Sequence, residues 1–123
     1  MRIKKIKIGI KNLKSMLDDF VKTGEAIERG EKLKPVKGPE VYFTSFEALR
    51  KVLTPKRLEL LHIIKMKKPS SINELARMAK RDLKNVSDDV KYLEQVGLIE
   101  RKKTANRTAP IVTYDKLSFE MAV

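Results

Sequence analysis

Few residues in this chain could make or break bonds. Among 123 residues there is one histidine, His62, and no cysteine, so thiolate catalysis, disulfides and thiolate zinc sites are all excluded. His62 lies in the apolar run Leu60 to Ile64, where packing or an interface is expected of it rather than proton transfer. Adjacent carboxylates occur at Asp18-Asp19 and Asp88-Asp89, but neighbours on a helix diverge by about 100°, so neither pair resembles an acid–base dyad. A glycine-rich phosphate loop is missing as well. The expectation is a protein that is not an enzyme and uses no cofactor and no metal.

Positive charge is what the chain has in quantity. Lys and Arg number 28 against 16 Asp and Glu, a formal charge of +12. The excess is spread along the chain, with ten bases and five acids in residues 1–34 and eighteen and eleven in the remainder, so no single basic tail explains it. A solvated lysine-rich surface of the kind found in proteins from hot environments would carry acids in step with bases. Here the acids fall behind, which points to a polyanionic partner. Among the basic groups are Lys80-Arg81 and, with four bases in seven residues, Arg101-Lys102-Lys103 with Arg107. No apolar run approaches the roughly 18 residues of a membrane span, and Met1 to Ile10 lacks the apolar core of a signal peptide. No membrane contact and a cytoplasmic location are expected.

A scaffold to hold these bases can be outlined from local patterns. Ile6, Ile8 and Ile10 alternate with Lys5, Lys7 and Gly9, the period of a half-buried strand. Asn12 is placed to cap a helix reaching Arg29, with Leu13, Met16, Leu17, Phe20, Val21 and Ile27 on one narrow stripe and Gly30 closing it. The segment Glu31 to Glu40 holds Pro35, Gly38 and Pro39 among lysines and reads as a linker. This divides residues 1–40, a strand-helix extension with its linker, from a main domain at 41–123.

In that main domain Val41 to Phe43 is strand-like, and Ser45 caps a short helix with Phe46, Leu49 and Val52 or Leu53 inward and Glu47 in its first turn. Thr54-Pro55 opens a firm helix in which Leu58, Leu60, Leu61, Ile63 and Ile64 cover more than one face, so it must be the central core helix. Ser71-Ile72-Asn73-Glu74 has the form of a capping box, starting a short helix to about Lys80 with Leu75 and Ala76 inward. Asp82 caps the next helix, whose stripe of Leu83, Val86, Val90 and Leu93 stops at Gly97. Leu98 to Lys103 and Ile111 to Tyr114 form a hairpin around Thr104 to Pro110, and Leu117, Phe119 and Met121 suggest a last strand. The fold class is α+β, mainly α.

Helix, capped short helix, turn, capped longer helix and basic hairpin in that order resemble the winged helix-turn-helix of MarR-like and ArsR-like regulators. The likeness rests on Ser71-Ile72-Asn73-Glu74-Leu75-Ala76, on the spacing of Val86, Val90 and Leu93, and on Leu93-Glu94-Gln95-Val96-Gly97-Leu98-Ile99 ahead of the hairpin. A closer likeness covers residues 43–121. There Phe43-Thr44-Ser45-Phe46-Glu47-Ala48-Leu49, Leu53-Thr54-Pro55-Lys56-Arg57-Leu58 and Arg81-Asp82 are similar to a family of small transcriptional regulators of archaea and bacteria, some partnered with toxin-like proteins. The resemblance implies operator binding without a cofactor, and a helix from about Leu83 to Val96 inserted in the DNA major groove.

With Val86, Val90 and Leu93 turned to the core, helical geometry aims Lys84, Asp88, Lys91 and Gln95 outward, with Asn85 and Ser87 beside them. Lys84 and Asn85 are the first candidates for base contact, since Lys reaches guanine and Asn pairs with adenine. Asp88 accepts from cytosine, pairs with a neighbouring lysine, or is a solvated charge. Ser70, Ser71, Lys80 and Arg81 around the helices, and Arg101, Lys102, Lys103 and Arg107 on the hairpin, are candidates for phosphate. The apolar stripe of the N-terminal helix needs cover from the main domain, a second copy or another protein. A homodimer reading a palindromic operator in double-stranded DNA is therefore expected. A regulator gripping a toxin-like partner through its N-terminal region and a nonspecific chromatin-type protein are the alternatives.

Overall fold

A computed structural model describes residues 5–10, 21 and 40–121. The chain is an α+β protein in two compact units, one made of Met1–Leu49 with Lys116–Val123 and the other of Arg50–Asp115. The C-terminal strand thus belongs with the N-terminal strand and not with the segment that precedes it, a long-range pairing that no local periodicity can announce.

The first unit is built on a parallel sheet. Strand β1 (Lys5–Ile10) is central, with β2 (Glu40–Phe43) on one side and β5 (Lys116–Glu120) on the other. Lys7 faces Glu40 in one register and Ser118 in the other. The alternation expected of Ile6 and Ile8 is observed, both side chains being buried, while Ile10 is half-buried. Gly9 is required by a close approach, because a Cβ there would lie 2.7 Å from the Tyr42 ring. Across to the edge strand β5, Lys7 reaches the Glu120 carboxylate at 2.8 Å. Of the helix expected over Asn12–Arg29, only Val21 is among the described residues; it is helical and exposed. The rest of that helix and the linker before Glu40 lie outside them.

Helix α1 (Phe46–Val52) follows, with the Ser45 hydroxyl accepting from the Ala48 N–H at 3.1 Å. Leu49 is buried as expected, but Phe46 is exposed. It stands at the first position of a helix only seven residues long.

Arg50–Asp115 holds three further helices and a hairpin. Helix α2 (Pro55–Lys67) begins on Thr54, whose hydroxyl accepts from the Arg57 N–H. Leu60, Leu61, Ile63 and Ile64 are buried; at 100° per residue they fall within one arc of about 160°, so α2 is covered along one broad face where the sequence suggested more than one. Leu58 is 41% exposed, and His62 is exposed instead of packed, because it falls about 180° from the middle of that buried arc. Helix α3 (Ile72–Ala79) starts on Ser71, which accepts from the Glu74 N–H at 3.1 Å. The reciprocal half of the capping box is absent, since the Glu74 carboxylate instead accepts from the Ser70 hydroxyl at 2.7 Å.

Helix α4 (Leu83–Gln95) is capped by Asp82 and buries Val86, Val90 and Leu93 completely. Leu83, expected on the same stripe, is half exposed at the first position of the helix. Gly97 ends the helix with φ 86, a left-handed conformation that a side chain would strain. This turn sends Leu98 and Ile99 straight into the core, and the Tyr114 hydroxyl donates to the buried Leu98 carbonyl at 2.8 Å. Strands β3 (Glu100–Thr104) and β4 (Arg107–Ile111) then form an antiparallel hairpin. Its connection is two residues long, with Ala105 at φ 48, and not the seven-residue loop expected from the sequence. Pro110 lies within β4 opposite Arg101, which a two-stranded sheet permits because each strand has a free edge.

Candidate nucleic-acid interface

The sequence candidates fall into two groups, side chains left at the surface and side chains used by the fold. Lys84, Asn85, Asp88 and Lys91 are all exposed on α4, and Ser87 is half-buried on its flank. Their exposure follows from the burial of Val86, Val90 and Leu93, which leaves the opposite face of the helix to solvent. Lys80 is exposed at the end of α3 in a left-handed conformation, φ 54, and with Arg81 turns the chain toward α4. The Lys80 and Arg81 N–H groups satisfy the last carbonyls of α3, with Arg81 reaching Ala76 at 3.1 Å.

Every residue from Glu100 to Thr108 is exposed, so Lys102, Lys103 and Arg107 stand in solvent on the hairpin. Arg101 pairs with Glu94 of α4. Because strand side chains alternate, Lys103 shares the α4 side with Arg101 and Lys102 takes the other. Arg107 returns to the start of α3, where its guanidinium donates to the Ser70 hydroxyl at 3.1 Å. Ser70 therefore links the hairpin tip to Glu74, and Ser71 is engaged as the helix cap.

Arg81 is placed differently from the expectation of a phosphate contact. Its guanidinium turns inward and meets the Asp89 carboxylate at 2.7 Å, with only a fifth of the side chain exposed. Its Nη1 is the one buried side-chain nitrogen or oxygen among the described residues without a hydrogen-bond partner. The other Asp89 oxygen accepts from Arg57 Nε at 3.0 Å. Arg57 also donates to the carbonyls of Lys51 and Val52 and lies 4.5 Å above the Tyr92 ring. Burial alone would raise the Asp89 carboxyl, but hydrogen bonds from Arg81 and Arg57, and their charges, outweigh it and hold the group below its ordinary value.

Two residues not singled out from the sequence join this surface. Asn73 and Arg77 line a groove with Ser71, Asn106, Arg107 and Thr108, between α3 and the hairpin tip. The same pair lines a second groove with Lys80, Arg81 and Leu83, toward α4. Asn73 and Arg77 are four apart, one face of a helix, and both lie opposite the buried Leu75; that phase was the signal available. Asp89 was also missed, although it stands three residues after Val86 and so beside the core.

The arrangement is a surface of exposed cations and amides on α3, α4 and the hairpin, tied together by internal ion pairs. Among the described residues there is no gathering of three or more metal-ligating side chains, and no helix is long and apolar enough to cross a membrane. The profile of the family HVO_A0114 matches residues 52–119, more than half of the chain. No curated protein and no solved structure matches it.

Proposed function

The chain belongs to the HVO_A0114 family, and for this member we propose that Arg50–Asp115 is a winged helix-turn-helix of the MarR-like and ArsR-like kind, binding double-stranded DNA to regulate transcription. One observation carries the reading. The outward face of α4 presents Lys84, Asn85, Asp88 and Lys91 to solvent, and Lys80 in the turn before it and the basic hairpin after it are exposed as well. An exposed polar helix face accompanied by exposed cations suits a major groove bordered by phosphates.

In this reading α4 is the recognition helix, with Lys84, Asn85 and Lys91 toward base edges. Asp88 tempers nonspecific attraction or accepts from cytosine. The hairpin is the wing, and Lys102, Lys103 and Arg107 meet the backbone. Ser70 and Ser71 serve chiefly to order the wing and α3, and Arg81 acts within the fold and not on phosphate. We read the chain as a DNA-binding protein and not an enzyme. The Asp88-Asp89 pair supports this, since one carboxylate is exposed and the other is occupied by two arginines.

The test is selection of bound duplexes from a random DNA pool with the full chain. The expected result is enrichment of one motif, and two-fold symmetry in that motif would support a dimer. Failure to enrich any motif, with equal affinity for unrelated sequences, overturns the sequence-specific reading in favour of a nonspecific DNA-binding protein.

A further inference from the structure

Asp89 gathers two guanidinium groups from distant parts of Arg50–Asp115. Arg57 comes from the first turn of α2, where it is itself fixed by two backbone carbonyls and the Tyr92 ring. Arg81 comes from the turn between α3 and α4. All three side chains are at most a fifth exposed. On the other flank of α4, Glu94 is paired with Arg101 of β3. Helical phase puts Asp89 and Glu94 about 70° to either side of the mean direction of Val86, Val90 and Leu93. The helix is therefore tied along both edges, and rolling it either way about its axis stretches one tie.

We propose that Asp89, with Glu94 as the weaker partner, is a positioning residue that fixes the roll angle of α4 and so sets base discrimination. The inference rests on the DNA-reading role given to α4 above. Side chains on α4 end about 6 Å from its axis, so a roll of about 20° moves their tips by about 2 Å. A displacement of that size breaks a bidentate base contact, whose donor and acceptor must meet near 2.9 Å. It leaves phosphate attraction almost intact, because charge acts over a Debye length of about 8 to 10 Å. The two ties are unequal. The Asp89 pairs are mostly shielded from water, whereas Arg101 and Glu94 are 34% and 40% exposed, where an ion pair contributes little.

The experiment compares wild-type full-length protein with Asp89→Asn on two short duplexes, one carrying the motif recovered from the random pool and one a scramble of it. Asp89→Asn is expected to lower the ratio of the two affinities by about tenfold or more, the loss of one good base contact. Binding to the scramble should hold within about twofold, since the substitution adds one unit of positive charge and removes no cation. An unchanged ratio, or equal losses on both duplexes, overturns the positioning role. Should Asp89→Asn not fold, Arg57→Lys keeps the charge while removing the fork and the stacking, and the same drop in ratio is expected of it. Asp89→Glu, which retains a carboxylate for both arginines, should recover part of the ratio; a purely stabilising ion pair would restore the melting temperature without moving it. Wild-type protein that binds neither duplex overturns the DNA reading itself, and the positioning role with it.

Discussion

Replacing Lys102 and Lys103 together by alanine isolates the hairpin's contribution to DNA binding. Both side chains are exposed on β3 and neither enters an ion pair with another described residue, unlike Arg101 beside them, which is engaged with Glu94. The substitutions should leave stability nearly unchanged, within about 0.5 kcal/mol, as is usual for surface positions away from buried networks. Each phosphate contact contributes about 0.9 to the slope of log affinity against log salt concentration. Raising salt fourfold, from roughly 50 to 200 mM, therefore weakens binding about 3.5-fold per contact and about 12-fold for two. The double variant should show a slope shallower by about 1.8, its deficit against wild type being largest at low salt and closing as salt rises. Fluorescence anisotropy of a labelled duplex across that salt range measures it. Parallel slopes for variant and wild type, with unaltered melting, would refute the placement of the hairpin against a nucleic-acid backbone.

Three other outcomes follow from the fold alone. Tyr114→Phe removes the donor to the buried Leu98 carbonyl, and a loss of about 1 to 3 kcal/mol is expected, read as a lower denaturant midpoint with unchanged m-value. Asp89 has its carboxyl held below the ordinary range in the folded chain, so its contribution is complete above the unfolded value near 4 and disappears as pH falls through the folded one. The melting temperature of Asp89→Asn should accordingly fall less than that of wild type between roughly pH 5 and pH 2; an identical fall in both proteins counts against the two-arginine clamp. Gly9→Ala would push its new methyl against the Tyr42 ring, and the resulting destabilisation should be relieved in the double variant with Tyr42→Ala, a non-additivity measurable by a double-mutant cycle.

Much of the local framework is legible in the sequence because its signals are local. Thr54-Pro55, Ser71 and Asp82 cap the helices they were expected to cap, and Gly97 turns the chain into the buried Leu98 and Ile99. Periodicity likewise placed Val86, Val90 and Leu93 in the core. What escaped depends on partners far away in the chain. Nothing near Lys116 states that β5 will lie beside β1, and a strand pattern is silent about its neighbour. Asp88 and Asp89 look alike in sequence; about 100° of helical turn separates a solvated carboxylate from one that holds two arginines. The inward turn of Arg81 escaped for the related reason that a basic residue in a turn can face either way, and only the position of Asp89 decides which.

The pairing of β1 with β5 also bears on the order in which the protein can be assembled. Lys5 lies against Lys116, 111 residues later, and the whole of Arg50–Asp115 is synthesised between them. That segment is joined by nearer contacts, such as the hairpin and the successive helices, and short loops close quickly. On a ribosome, α2 to β4 can therefore be complete while β1 still lacks one of its two neighbours. The parallel sheet must wait for the last strand to emerge, leaving an open β1 edge during translation, a ready template for pairing with another nascent chain.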